Sequence, residues 1–169
     1  EAGYDVAVAT RVRQHAETIR KVGIRLIPFE LSRRAGNPLL EFLGLLLLYR
    51  RERPDIVHHI ALKPVFLGAL AGRLAGLHAQ VNAVAGLGWL FISRSCTARL
   101  LSPLIRWILA LLMNAPRSRV IVQNPDDAEV LTKSGVKKSH LRMIRGSGVD
   151  TFQFSPSPEL IEPVCVVLA

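Results

Sequence analysis

Short, mostly β-branched apolar runs alternate along the chain with longer apolar segments that carry helix signals at their ends. Asp5–Thr10 (DVAVAT) reads as a strand, His15–Val22 as a helix closed by Gly23, and Ile24–Phe29 (IRLIPF) as a second strand. Asn37-Pro38 opens a helix that continues through LLEFLGLLLLYRRER until Pro54 stops it. Asp55–Ile60 (DIVHHI) is a third strand, followed by a helix over Pro64–Ala75, and Gln80–Ala85 (QVNAVA) is a fourth. A long helix, Thr97–Asn114, precedes the strand Arg119–Gln123. Asn124 then caps a helix with Pro125 at its first position and acids in its first turn, and Gly135 ends it. Leu141–Arg145 is the last strand before Gly146-Ser147-Gly148. The strands are continuous apolar runs, as in sheets covered on both faces. Strand and helix in alternation predict an α/β domain, a Rossmann-like three-layer parallel sheet.

Both ends carry further expectations. Glu1–Tyr4 reads as a last helical turn, so the first strand of the sheet is expected to lie upstream and to be missing from this sequence. Residues 1–154 form the domain, Ser155–Pro163 has the Pro, Ser and Glu content of a linker, and Val164–Ala169 (VCVVLA) starts a strand of a second domain.

The 169 residues carry a net charge of +9, nearly all the excess from arginine, which suits a nucleic acid, an anionic membrane or a phosphate-bearing substrate. Aromatic residues make up only 6%, too few for base-stacking platforms, so nucleic acid is not expected as a partner. Cys96 and Cys165 have neither disulfide-framework nor zinc spacing; no metal is expected, and a reducing cytoplasm is the default. The apolar stretches are too short or too interrupted to span a bilayer.

In open parallel sheets, ligands bind beyond the carboxyl ends of the strands. His58, His59 and Lys63 stand at such an end and are candidates for acceptor or phosphate binding, Lys63 close to a helix N-terminus that favours anions. The plainer reading puts one histidine under the helix and Lys63 in solvent. Gly86 and Gly88 close the next strand, allowing either close backbone approach or a simple turn. They lack the third glycine of a dinucleotide fingerprint. Gly146, Gly148 and Asp150 read as a turn leading out of the domain. On the long helix and just before it, Arg94, Arg99, Arg106 and Trp107 sit among leucines and isoleucines. That mixture marks either an interfacial helix on anionic lipid or a core helix with a solvated arginine stripe.

In this order, the segments Asp55–His59, Lys63-Pro64, Gly86-Leu87-Gly88, Val120–Asn124 and Ser147–Asp150 with Phe154 and Pro156 resemble the N-terminal domain of GT-B glycosyltransferases of family 4. Within that family the chain is most similar to bacterial enzymes that extend undecaprenyl-diphosphate-linked glycans in cell-surface polysaccharide and glycan assembly. The resemblance implies an acceptor-binding lobe whose partner lobe binds a nucleotide sugar, UDP-linked, as co-substrate without a metal or other cofactor. It implies a retaining hexosyltransferase that extends a lipid-linked glycan from the cytoplasm or the inner face of the membrane. The family's paired glutamates and its glycine-rich loop fall outside this sequence, so no catalytic residue is assigned here and the piece alone is expected to be inactive. A histidine common at the strand end is replaced by Ala85-Gly86, and the usual turn asparagine by Ser147. The competing expectation is a non-catalytic module that only recognises a glycolipid or a partner. A nicotinamide-dependent oxidoreductase lacks its strand, glycine loop and helix unit in this sequence.

Overall fold

A computed structural model describes residues 3–12, 16–31, 36–84, 96–146, 148 and 150–152, without the side chains of residues 96–102. The elements follow the predicted alternation: β1 Ala7–Thr10, α1 Ala16–Lys21, β2 Arg25–Pro28, α2 Pro38–Glu52, β3 Ile56–Ile60, α3 Leu62–Leu74, β4 Ala79–Val84, α4 Cys96–Met113, β5 Ser118–Val122, α5 Pro125–Lys133 and β6 Leu141–Met143.

Local chemistry fixes these boundaries. Asn37 caps α2 through its side chain, which accepts from the Leu39 and Leu40 amides. Arg53 closes the same helix in a left-handed conformation just ahead of Pro54. Asn124 caps α5, its Oδ1 accepting from the Asp127 amide at 2.7 Å while Nδ2 donates to the Asp127 carboxylate at 3.0 Å. Helix α3 begins two residues earlier than the sequence suggests, because Pro64 sits in its first turn, where its lack of an N–H costs nothing.

Among the described residues all strand pairs are parallel, in two sheets, β1-β2 and β3-β4-β5-β6. The register sets His59 beside Asn82, Asn82 beside Val120 and Val120 beside Leu141. These residues share one face, onto which the helices pack. Val65, Val84, Met113, Val120, Val122 and Leu131, all but inaccessible to solvent, form the core there. A second cluster joins Leu45, Leu48 and Tyr49 of α2 to Val57 and Leu67, with Ile27 and Phe29 carrying the two-stranded sheet against it. Phe66 touches both clusters.

The expectation of strands covered on both faces is corrected for β3. Its residues alternate between exposed and buried, and Ile56, His58 and Ile60 on the second face are exposed. The reason is topological. Right-handed crossovers that advance in one direction across a sheet, as from β3 to β6, lay their helices on a single side. Among the described residues the two sheets share no strand pair, and β1, β2, β3 and β6 each pair on one edge.

Candidate functional site

The turn from β3 into α3 carries the sequence-predicted chemistry. Period-two alternation sends the two histidines to opposite faces. His58 is exposed, whereas His59 is buried under α3.

His59 lies at the centre of a buried polar chain. Its Nδ1 is 2.8 Å from Asn82 Oδ1, and Asn82 Nδ2 donates to Ser118 Oγ at 3.0 Å. The amide oxygen can only accept, so the imidazole proton sits on Nδ1, and Nε2 accepts from the Tyr49 hydroxyl at 2.8 Å. Burial pushes the His59 pKa down, outweighing the hydrogen bond to Asn82 that favours the charged ring, and holds it neutral. Burial also raises the Tyr49 phenol, which keeps it a donor. Gly68 makes room for this ring, since a Cβ there would lie 2.5 Å from His59 Cδ2 and Nε2. The histidine therefore ties α2, β3, β4 and β5 together. Its two ring nitrogens are both engaged within the protein.

Lys63 lies in the first turn of α3, its side chain one third exposed (33%). Its ammonium pairs with the carboxylate of Glu41, a buried acid in the first turn of α2. The pair joins the N-terminal ends of two helices beside the C-terminal end of β3. An incoming phosphate would compete with Glu41 for Lys63, at a helix start that already favours negative charge.

Between strand and helix stands Ala61, with φ 77° and ψ 159°. This conformation is nearly confined to glycine, and strained residues of this kind cluster at functional sites. Its amide donates to Ala83 O at 3.1 Å and its carbonyl accepts from Val65 N at 3.0 Å, which holds the turn in place.

The remaining predicted residues scatter. Gly86, Gly88 and Arg94 lie outside the described residues, as does the side chain of Arg99. Arg106 and Trp107 are both exposed on α4. Gly146 lies just beyond β6, and Gly148 takes a left-handed φ of 70°. Asp150 Oδ1 then accepts from Phe152 N at 2.9 Å, a turn closed by a side chain. The linker and last strand expected over 155–169 lie outside the described residues. Among the described residues no group of three or more His, Cys, Asp or Glu is placed to hold a metal. No described helix is long and apolar enough to cross a membrane.

Two open grooves are found away from this turn. One, of about 450 Å³, lies at the N-terminal ends of β4 and β5 and is edged by Arg73, His78 and Arg117. The other, of about 530 Å³, lies between α5 and β6. Neither is lined by His58, His59 or Lys63.

Sequence reasoning did not single out Tyr49, Asn82, Glu41, Gly68 or Ala61. A polar Asn in an apolar strand and a glycine inside an apolar helix are the signals that could have drawn attention to Asn82 and Gly68.

Comparison with known proteins bears on the fold and the family. A Campylobacter jejuni protein, N,N'-diacetylbacillosaminyl-diphospho-undecaprenol alpha-1,3-N-acetylgalactosaminyltransferase, is 25% identical over 155 residues, 90% of this chain and 41% of its own length. Among solved structures, Anabaena HepE in complex with UDP-glucose superposes with a TM-score of 0.60 at 16% identity, over 90% of this chain and 38% of that one. The same protein with UDP and glucose gives 0.61 at 16% identity, over 90% and 39% of the two chains. The fold is thus the Rossmann-like lobe of such proteins, and the chain spans about two fifths of the length of the relatives it matches. A family model described as glycosyl transferase 4-like matches residues 1–124, most of the sequence, and the chain belongs to that family.

Proposed function

We propose that the chain is the acceptor-side lobe of a glycosyltransferase that moves a sugar from a nucleotide sugar, UDP-linked, to a lipid-diphosphate-linked glycan. The observation that carries this reading is the family match, supported by a relative whose name specifies a diphospho-undecaprenol acceptor. HepE, crystallised with UDP-glucose, supports the choice of donor. The nucleotide sugar is assigned to a second lobe in the rest of a longer polypeptide, reached through the 155–163 linker and beginning with the strand at 164–169. Among the described residues β1 and β3 each pair on one edge only, which leaves room for a further strand beside them.

In this reading Lys63 meets the acceptor diphosphate. It releases Glu41 as it does so, while His58 lines the approach. The Gly86 and Gly88 backbone completes the cleft, and the turn at Gly146, Gly148 and Asp150 leads to the second lobe. Helix α4, with Arg94, Arg99, Arg106 and Trp107 on it or leading into it, rests on the anionic inner face of the cytoplasmic membrane, where each arginine near the surface contributes about 1 kcal/mol.

Steady-state kinetics of the longer polypeptide examine the assignment of Lys63. Lys63→Ala is expected to lower kcat/KM for a lipid-diphosphate acceptor about tenfold or more, the worth of one charge-assisted contact. Slow hydrolysis of the nucleotide sugar should stay as it was. Unchanged acceptor kinetics would remove Lys63 from the site. So would full recovery in the double variant Glu41→Gln with Lys63→Ala, because the lysine would then serve only as counter-ion to a buried acid.

A further inference from the structure

Helix α2 carries an outward stripe that matches the one on α4. Leu40, Leu43 and Leu47 recur at i, i+3 and i+7 and are exposed, Leu40 and Leu47 each at 65%. Leu104, Trp107 and Leu111 repeat the same spacing on α4, with Trp107 63% exposed. The inward residues of α2, Leu45, Leu48 and Tyr49, pack with Val57 and Leu67 on the face of the sheet that α4 also covers. Both helices therefore belong to one layer and turn their stripes away from the sheet in the same general direction. Between them α3 is built from Gly68, Ala69, Ala71 and Gly72, all buried, so it lies low.

Exposed apolar residues grouped in this way mark an interaction surface. Charge selects the occupant. Exposed Arg50 and Arg53 follow the α2 stripe, exposed Arg106 flanks the α4 stripe, and the chain carries +9 overall. A second copy pressed face to face would bring like charges together, whereas an anionic bilayer complements them. We infer that α2 is a second membrane-contact helix, so that the lobe rests on the bilayer along two parallel stripes rather than along α4 alone. This rests on the proposed bilayer contact of α4 and extends it. Two lines of contact fix the lobe against rolling about one helix axis. The strand ends and Lys63 are then held at a set height and angle above the lipid surface.

Co-sedimentation of the longer polypeptide with vesicles decides the matter, using phosphatidylcholine alone and equal parts phosphatidylcholine and phosphatidylglycerol. Two pairs of substitutions are compared: Leu43→Glu with Leu47→Glu on α2, and Leu104→Glu with Leu111→Glu on α4. Each pair should lower partitioning about tenfold or more, the equivalent of withdrawing one largely buried leucine, with circular dichroism unchanged. Leu43→Gln with Leu47→Gln repeats the α2 measurement if the glutamates disturb folding. Arg50→Gln should reduce only the preference for anionic vesicles, about fivefold. Wild-type binding by both α2 pairs, with loss in the α4 pair, overturns the second stripe and leaves α4 standing. A wild-type protein that ignores both vesicles removes the bilayer reading and this inference with it. If the α2 pair instead dissociates a dimer in analytical ultracentrifugation and leaves vesicle binding intact, a second copy covers α2 and the inference fails.

Discussion

Replacing Gly68 by alanine adds a single methyl group, and its effect separates two opposed contributions. In a helix interior, alanine is favoured over glycine by about 1 kcal/mol, so propensity alone predicts a more stable protein. The new Cβ, however, would sit 2.5 Å from two atoms of the His59 ring and 3.1 Å from the Tyr49 hydroxyl. The ring has little freedom to retreat, because a 2.8 Å hydrogen bond holds it on each side. Overpacking a filled site costs about 1–3 kcal/mol. Parting either bond leaves a buried polar group unmet, at about 1–3 kcal/mol more. The net expectation is a loss of about 3 kcal/mol from unfolding stability. Urea denaturation followed by far-ultraviolet circular dichroism measures it. The same substitution made on a His59→Ala background has the vacated ring volume to occupy, so there it should be neutral or stabilising by about 1 kcal/mol. A stabilised single variant, or equal losses in the two backgrounds, would refute the close contact between Gly68 and His59.

Three further outcomes follow from the same region. Because burial lowers the folded-state pKa of His59, protonation favours the unfolded chain. The neutral ring's contribution is fully present above the ordinary histidine range near pH 6.5 and is lost as pH falls below it toward the depressed folded value. Denaturant midpoints between about pH 7.5 and 5 should decline in the wild type, and less steeply in His59→Gln; parallel slopes would discard the coupling. Ala61→Gly should stabilise the lobe by about 1 kcal/mol, since relief of about 1–3 kcal/mol of backbone strain exceeds the added disorder of glycine in the unfolded chain. A lower melting temperature in that variant would count against the strained turn. Lys63→Ala should also lower stability, by about 1–2 kcal/mol for a pair that is only partly buried, and Glu41→Gln in the same background should recover most of it in thermal melts.

How far the sequence could be read depended on whether the deciding interaction was local. Asn37-Pro38 and Pro54 bracket α2 because caps and prolines act within a turn of their own position, and Asn124-Pro125 does the same for α5. Strand Ile56–Ile60 was legible from its apolar run, and alternation separated His58 from His59 without saying which one the helices would cover. That choice depends on partners 10 and 23 residues away, Tyr49 and Asn82, which no local pattern connects. Glu41 reads in sequence as an ordinary acid in a helix first turn, and only the packing of α2 against α3 turns it into a buried partner for Lys63. Ala61 gives no sign of its backbone conformation, since alanine is not the residue such a turn selects. The uncovered face of β3 was missed for another reason: an apolar strand looks the same whether one face or both are packed.

The position of Phe66, in contact with both apolar clusters, bears on how this lobe comes apart. On one side stand β2, α2 and Val57 of β3; on the other stand β5, α4 and α5. The apolar seam is narrow, and the β3–β4 ladder with the hydrogen-bonded chain from Tyr49 to Ser118 carries the rest of the connection. The α2 side, which reaches the sheet through them, can open while the β5 side keeps its amides protected, so hydrogen exchange should divide the lobe into two cooperative units of unequal persistence. Trimming Phe66 to leucine should widen the gap between their exchange rates before it lowers the more durable of the two.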